Sequence, residues 1–224
     1  MNTDRLIERL AEHAEPARPL RRPWIRAAVW LAAAGVYLAA MTLPMTSNAD
    51  LAANGSDWKF VFPQFAAIVT GAAAAMAAFA STIPGYSRRI LWLPAAAGLV
   101  WVGSLVGWSL QEWNQGVSVA APREWRCVAM IVGGGAMPAL LMAHMLRRGA
   151  PLSPGMTTAL GALAVAGLAN VAACVSHPHP SDAVVLIWHG GTIAALLACA
   201  LLAGKSVLNW DHRLGDGSRS VHRA

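Results

Sequence analysis

Six stretches of this 224-residue chain are each apolar for about twenty residues, and they dominate what it can fold into. They run over roughly 24–44, 61–83, 90–110, 125–146, 155–175 and 183–204. At 1.5 Å rise per residue each matches the hydrocarbon core of a bilayer, about 30 Å thick. Charged residues make up only 12% of the chain, against about 25% in soluble domains, so a soluble globular fold is excluded. The expected fold is an all-α membrane protein of six transmembrane helices. It divides into a leading segment, 1–23, a membrane domain, 24–204, and a tail, 205–224. The first apolar run opens only near Trp24, behind a charged segment, and it lacks the short core and cleavage site of a secretory signal. No cleavable leader is therefore expected.

Lys and Arg set the orientation. Arg5, Arg9, Arg18, Arg21, Arg22 and Arg26 precede or open the first span, and Arg88, Arg89, Arg147 and Arg148 lie in two alternate loops. Lys205, Arg213, Arg219 and Arg223 follow the sixth span. These fourteen fall on one side and only Lys59, Arg123 and Arg126 on the other, which predicts both termini in the cytoplasm. The net charge of +6 thus reports topology, and no direct nucleic-acid partner is expected. Trp24, Trp58, Trp92, Trp113, Trp125, Trp188 and Trp210 fall near span ends, where indoles prefer the interface. Gly103, Gly107, Gly133, Gly134, Gly135, Gly161 and Gly167 are expected to let helices approach closely, with a tolerated kink near Pro138.

Asp, Glu, Lys and Arg all fall outside the spans or at their ends by this reading, with Glu112, at the outer edge of the third, the nearest case. Pumps and voltage sensors depend on such residues within a span and lose support. His144 and His189 lie inside spans but near opposite membrane faces, which argues against a haem-ligand pair; each is read as a polar residue satisfied by a neighbour. Motifs of soluble enzymes (GxGxxG, the Walker loop, GxSxG, HExxH) are absent from the sequence, and no enzyme is expected. A transporter should show a polar path at the midplane, and that pattern is thin; a structural, oligomerising membrane protein would explain the Ala and Gly faces alone.

Cys127 and Cys174 are each 20 residues from the loop joining the fourth and fifth spans, which sets both about 30 Å from it, at the outer end of one hairpin. There they could form a disulfide or bind a soft metal, and His177 and His179 follow closely enough to contribute imidazoles. A metal set of Cys127, Cys174, His177 and His179 is a candidate beside the plainer reading of buried thiols and a stiff His-Pro turn. Cys199, deep in the sixth span, is read as a small hydrophobe. At the other face, residues 3–15 predict a short helix with Leu6, Ile7, Leu10 and Ala14 on one stripe and Arg5, Glu8, Arg9 and Glu12 opposite. A helix of about three turns is marginal alone and orders against something. Its four acids, Asp4, Glu8, Glu12 and Glu15, favour a protein groove over the lipid surface.

Taken in order, these parts resemble the NrsF-like family of membrane anti-sigma factors. The resemblance is carried by Leu6, Ile7, Leu10 and Ala11 followed by Pro16 and the basic stretch to Pro23. It continues through Gly55 to Lys59, Pro84 with Gly85, Cys127, Arg147 to Pro151, Cys174 and Trp210. It implies a six-helix protein of the cell inner membrane that holds an extracytoplasmic-function sigma factor through its N-terminal segment. Paired outer cysteines, here Cys127 and Cys174, would carry the response. No obligatory cofactor is implied; a heavy-metal ion enters only as a candidate signal. Where an acidic residue is expected after the second cysteine, this chain has the His177-Pro178-His179-Pro180 stretch. The zinc-binding motif of other anti-sigma factors, a His followed by CxxC, is absent, so another surface must bind sigma.

Overall fold

A computed structural model of the chain describes residues 20–114, 125–149, 151–176, 183 and 185–208, together with residues 3, 5, 8 and 12 of the leading segment. The described residues hold seven α-helices: α1 (Pro23–Thr42), α2 (Asn48–Ser56), α3 (Trp58–Ala80), α4 (Trp92–Asn114), α5 (Trp125–Leu146), α6 (Pro154–Ser176) and α7 (Gly190–Leu208). All but α2 belong to segments long and apolar enough to cross a membrane. Their bounds agree with the expected spans to within a few residues. The nine-residue α2 lies outside those windows; Ser47 caps it, its Oγ accepting from Asp50 N at 3.1 Å.

The spans alternate in direction, so the bundle has a basic end, carrying Arg26, Arg89, Arg147 and Arg148, and a far end. Cross-links tie each end. At the far end Thr46 Oγ1 donates to Val175 O at 3.4 Å and Trp58 stands edge-on to Trp108 at 5.1 Å. Glu112 Oε2 there accepts from Ala183 N at 2.9 Å. A carboxylate at this position satisfies an orphan donor where the sixth span begins. At the basic end Arg147 Nε donates to Val207 O at 2.7 Å.

Helix α6 is the centre of the bundle. It packs against α1, α3, α5 and α7, while α4 lies outside against α3. Composition explains the position, because α6 is built largely of Ala, Gly, Val and Leu and offers short side chains on every face. A Cβ on Gly167 would come within 3.2 Å of Ala67 O, and one on Gly135 within 3.1 Å of Val165 Cγ1. Gly134 and Gly161 are also in contact, so these four glycines pack as the sequence predicts. Gly103, Gly107 and Gly133 do not, since a Cβ on any of them meets nothing within 4 Å. Glycine content alone cannot distinguish a helix face turned to a neighbour from one turned to lipid. Near Pro138 the bundle is pinned, with the buried Trp30 donating its Nε1–H to Pro138 O at 3.1 Å.

Arg26 opens the first span as expected, in the first turn of α1, but its side chain is buried. Its guanidinium donates to Thr82 Oγ1 at 3.0 Å and to Met145 O, and stands 4.7 Å from the centroid of the Phe79 ring. Arg suits such a site because its fork satisfies two acceptors while its plane lies over an aromatic face.

Candidate functional site at the far end of the bundle

Ala166, Asn170 and Cys174 follow one another at four-residue intervals and so share one stripe of α6. Ala166 and Cys174 belong to one buried cluster with Trp101 and Leu105 of α4, Ala66 and Ala67 of α3, and Val185 and Ile193 of the sixth span. Between them Asn170 is fully buried, and its Oδ1 lies 2.7 Å from His189 Nδ1. An amide oxygen only accepts, so the ring donates Nδ1–H. The same nitrogen lies 3.8 Å from Cys174 Sγ.

His189 reaches this position through a local irregularity. Val185–His189 is a π-helical turn that leads into α7, and His189 closes it with its side chain buried. A π turn shifts the register of the side chains that follow, and such turns recur at functional sites. The chemistry open to this trio is limited by one detail. A nucleophile, base and orienting residue need the two different nitrogens of the imidazole, whereas here thiol and amide meet the same one. The geometry is therefore that of a sulfur, a nitrogen and an oxygen converging, and it does not make a proton relay.

Cys127 is buried at the third position of α5, at the same end of the bundle as Cys174. One turn on, Ile131 packs with Ala169 and Ala173 of α6, so the face bearing Cys127 is turned to the central helix. The depth of Cys127 thus agrees with the sequence reading. Cys199 is exposed in an apolar groove of about 300 Å³ between α5, α6 and α7, as a lone hydrophobic thiol would be. Among the described residues no group of three or more His, Cys, Asp or Glu is placed to hold a metal ion. His177 and His179 lie outside the described residues. His144 is at the basic end, exposed and 2.9 Å from Arg148, so the two span histidines do occupy opposite ends.

In the leading segment Thr3, Arg5, Glu8 and Glu12 are helical and exposed, which fits the polar face of the expected helix. Leu6, Ile7, Leu10 and Ala14, the other face, lie outside the described residues. Sequence reasoning passed over Asn170. An Asn well inside an apolar span is itself a signal, because its amide must find a partner there; a search for ionisable residues alone does not register it.

No curated protein and no solved structure matches the chain. A family of known sequences does, over residues 10–210, which takes in all six spans, Cys127 and Cys174. The chain belongs to the family described as negative regulator of sigma F, and is a multi-pass, all-α member of a group that restrains a sigma factor.

Proposed function

We propose that this protein is an anti-sigma factor of the cell inner membrane that holds an extracytoplasmic-function sigma factor away from RNA polymerase. Both termini lie in the cytoplasm, as the Lys and Arg distribution favours. The grip is made by the leading segment, with Leu6, Ile7, Leu10 and Ala14 as the stripe that enters a groove on sigma. Release follows a thiol-directed signal, an oxidant or a soft metal, acting on Cys127 and Cys174 at the periplasmic end.

The observation that carries this reading is the position of Cys174 on α6. The helix that bears it touches α1, α3, α5 and α7, so a change at the cysteine is felt by most of the bundle. α1 is one of those neighbours, and it continues directly from the leading segment. A coupling of about 1–3 kcal/mol between the two ends would change sigma affinity by roughly 5- to 150-fold. The test is a transcriptional reporter for the sigma factor in cells carrying Cys127→Ser with Cys174→Ser. The expected result is normal repression with induction abolished. Unaltered induction by every oxidant and metal tested would remove the cysteines from the mechanism.

A further inference from the structure

We propose that the groove between α5, α6 and α7 holds one acyl chain of an anionic phospholipid, whose phosphate is received by Arg147 at the basic end. The inference goes beyond the sigma-binding role proposed above and does not depend on it.

The groove comes first. Its floor is α6, through Ala162, Val165 and Ala166, and its walls are α5 and α7. It is lined by Ala, Gly, Val, Ile and Leu together with Cys199, and all three helices belong to segments that cross the membrane. What fills it in a bilayer is therefore apolar and thin. At about 30 Å³ for a water-sized group such as a methylene, its volume of about 300 Å³ takes a run of about ten. A lipid chain gains no hydrophobic energy by entering from the bilayer, but seated among fixed side chains it gains packing contacts with the floor and both walls.

The walls then lead to a cation. On α5, Ala136, Ala143 and Arg147 follow at intervals of seven and four; on α7, Cys199, Ala203 and Val207 follow at intervals of four. Each set shares one stripe of its helix. The two stripes meet where Arg147 Nε donates to Val207 O at 2.7 Å. Val207 is one turn, about 6 Å, past Ala203 in the groove wall, so the guanidinium stands at the basic mouth of the groove. The Nε bond steadies it and leaves both terminal amino groups without a hydrogen-bond partner among the described residues. The side chain is exposed, and the described acids of the bundle, Asp50, Asp57 and Glu112, lie at the far end. A phosphate matches such a planar pair of donors in shape and charge.

Charge selects among occupants. A zwitterionic lipid offers the same chains but brings its own cation to Arg147, whereas an anionic headgroup brings net negative charge. A second copy, packed groove to groove in the same membrane orientation, would set Arg147 against Arg147. Basic residues alone report only topology; here one of them closes an apolar groove.

The experiment titrates the full chain in detergent with phosphatidylglycerol, or with phosphatidylcholine of the same chains, and reads bound lipid by native mass spectrometry. One retained phosphatidylglycerol per chain is expected, with phosphatidylcholine held about fivefold more weakly. Arg147→Gln should make the two lipids equal, while Arg148→Gln, whose arginine is bound to His144, should leave the preference in place. Ala136→Phe places a ring in the groove and should lose the retained lipid. The native chain gives a reading that needs no variant, because Cys199 lines the groove and is exposed where Cys127 and Cys174 are buried. Its alkylation by N-ethylmaleimide should slow with phosphatidylglycerol and not with glycerol phosphate, which offers the headgroup without a chain. Equal retention of the two lipids by the native chain, or slowing by glycerol phosphate alone, would overturn the assignment. So would protection of Cys199 by rising protein concentration with no lipid added, which would give the groove to a second copy.

Discussion

Gly204→Ala is expected to destabilise the bundle, although the change adds one methyl group and favours helix intrinsically. The new Cβ would lie 2.5 Å from Gly155 Cα and 2.7 Å from Thr158 Oγ1, inside any tolerated contact. Backbone meets backbone there, and no flexible side-chain end can yield. The helices must part, and Thr158 Oγ1 then loses its 2.6 Å hydrogen bond to Ala200 O across the same contact. Overpacking of this kind costs about 1–3 kcal/mol. Gly103→Ala should act in the opposite sense, since α4 leaves open space at that position and Ala gains about 0.5–1 kcal/mol over Gly in a helix. Reversible unfolding in mixed detergent micelles would compare the pair. Two losses of similar size would refute the assignment of these glycines to different surroundings.

Arg26→Ala is expected to cost about 1.5–3 kcal/mol, the range for hydrogen bonds made by a charged group, because Met145 O and Thr82 Oγ1 lose their donor and the Phe79 face loses its cation. Arg26→Lys should recover only part of that loss, since one ammonium cannot serve Thr82 and Met145 with the geometry of a fork. The exposed Arg148, bound to His144 on the surface, is the control, and Arg148→Ala should fall within about 0.5 kcal/mol of the native chain. Orientation should survive the Arg26 changes, as thirteen other Lys and Arg remain on the same side against three. If Arg26→Ala unfolds at the native detergent fraction, the buried guanidinium contributes nothing to the bundle.

These two sites mark the line between what the sequence discloses and what only packing reveals. Span number and length were legible because hydrophobic length is a property of each segment alone. The shared depth of Cys127 and Cys174 was legible for the same reason, since rise per residue fixes it. Which glycines touch a neighbour is a relation between two helices, so Gly103 and Gly167 look alike in the sequence and differ in the bundle. Arg26 sat close enough to a basic run to be read as part of it. The meeting of Asn170 with His189, nineteen positions apart, depends on a π turn that no residue of Val185–His189 announces. The short α2 was not read from the sequence at all, although Ser47 stands three residues ahead of Asp50 and caps it.

The most direct test of the regulatory role is capture of its target. The tagged full chain is extracted in mild detergent beside a version lacking residues 2–16, and the proteins that accompany each are identified. A sigma factor recovered with the full chain and lost with the shortened one is the expected result, and it would locate the grip in the stripe of Leu6, Ile7, Leu10 and Ala14. A sigma factor retained equally by both would contradict the role given to that segment, and recovery with neither would contradict sequestration itself.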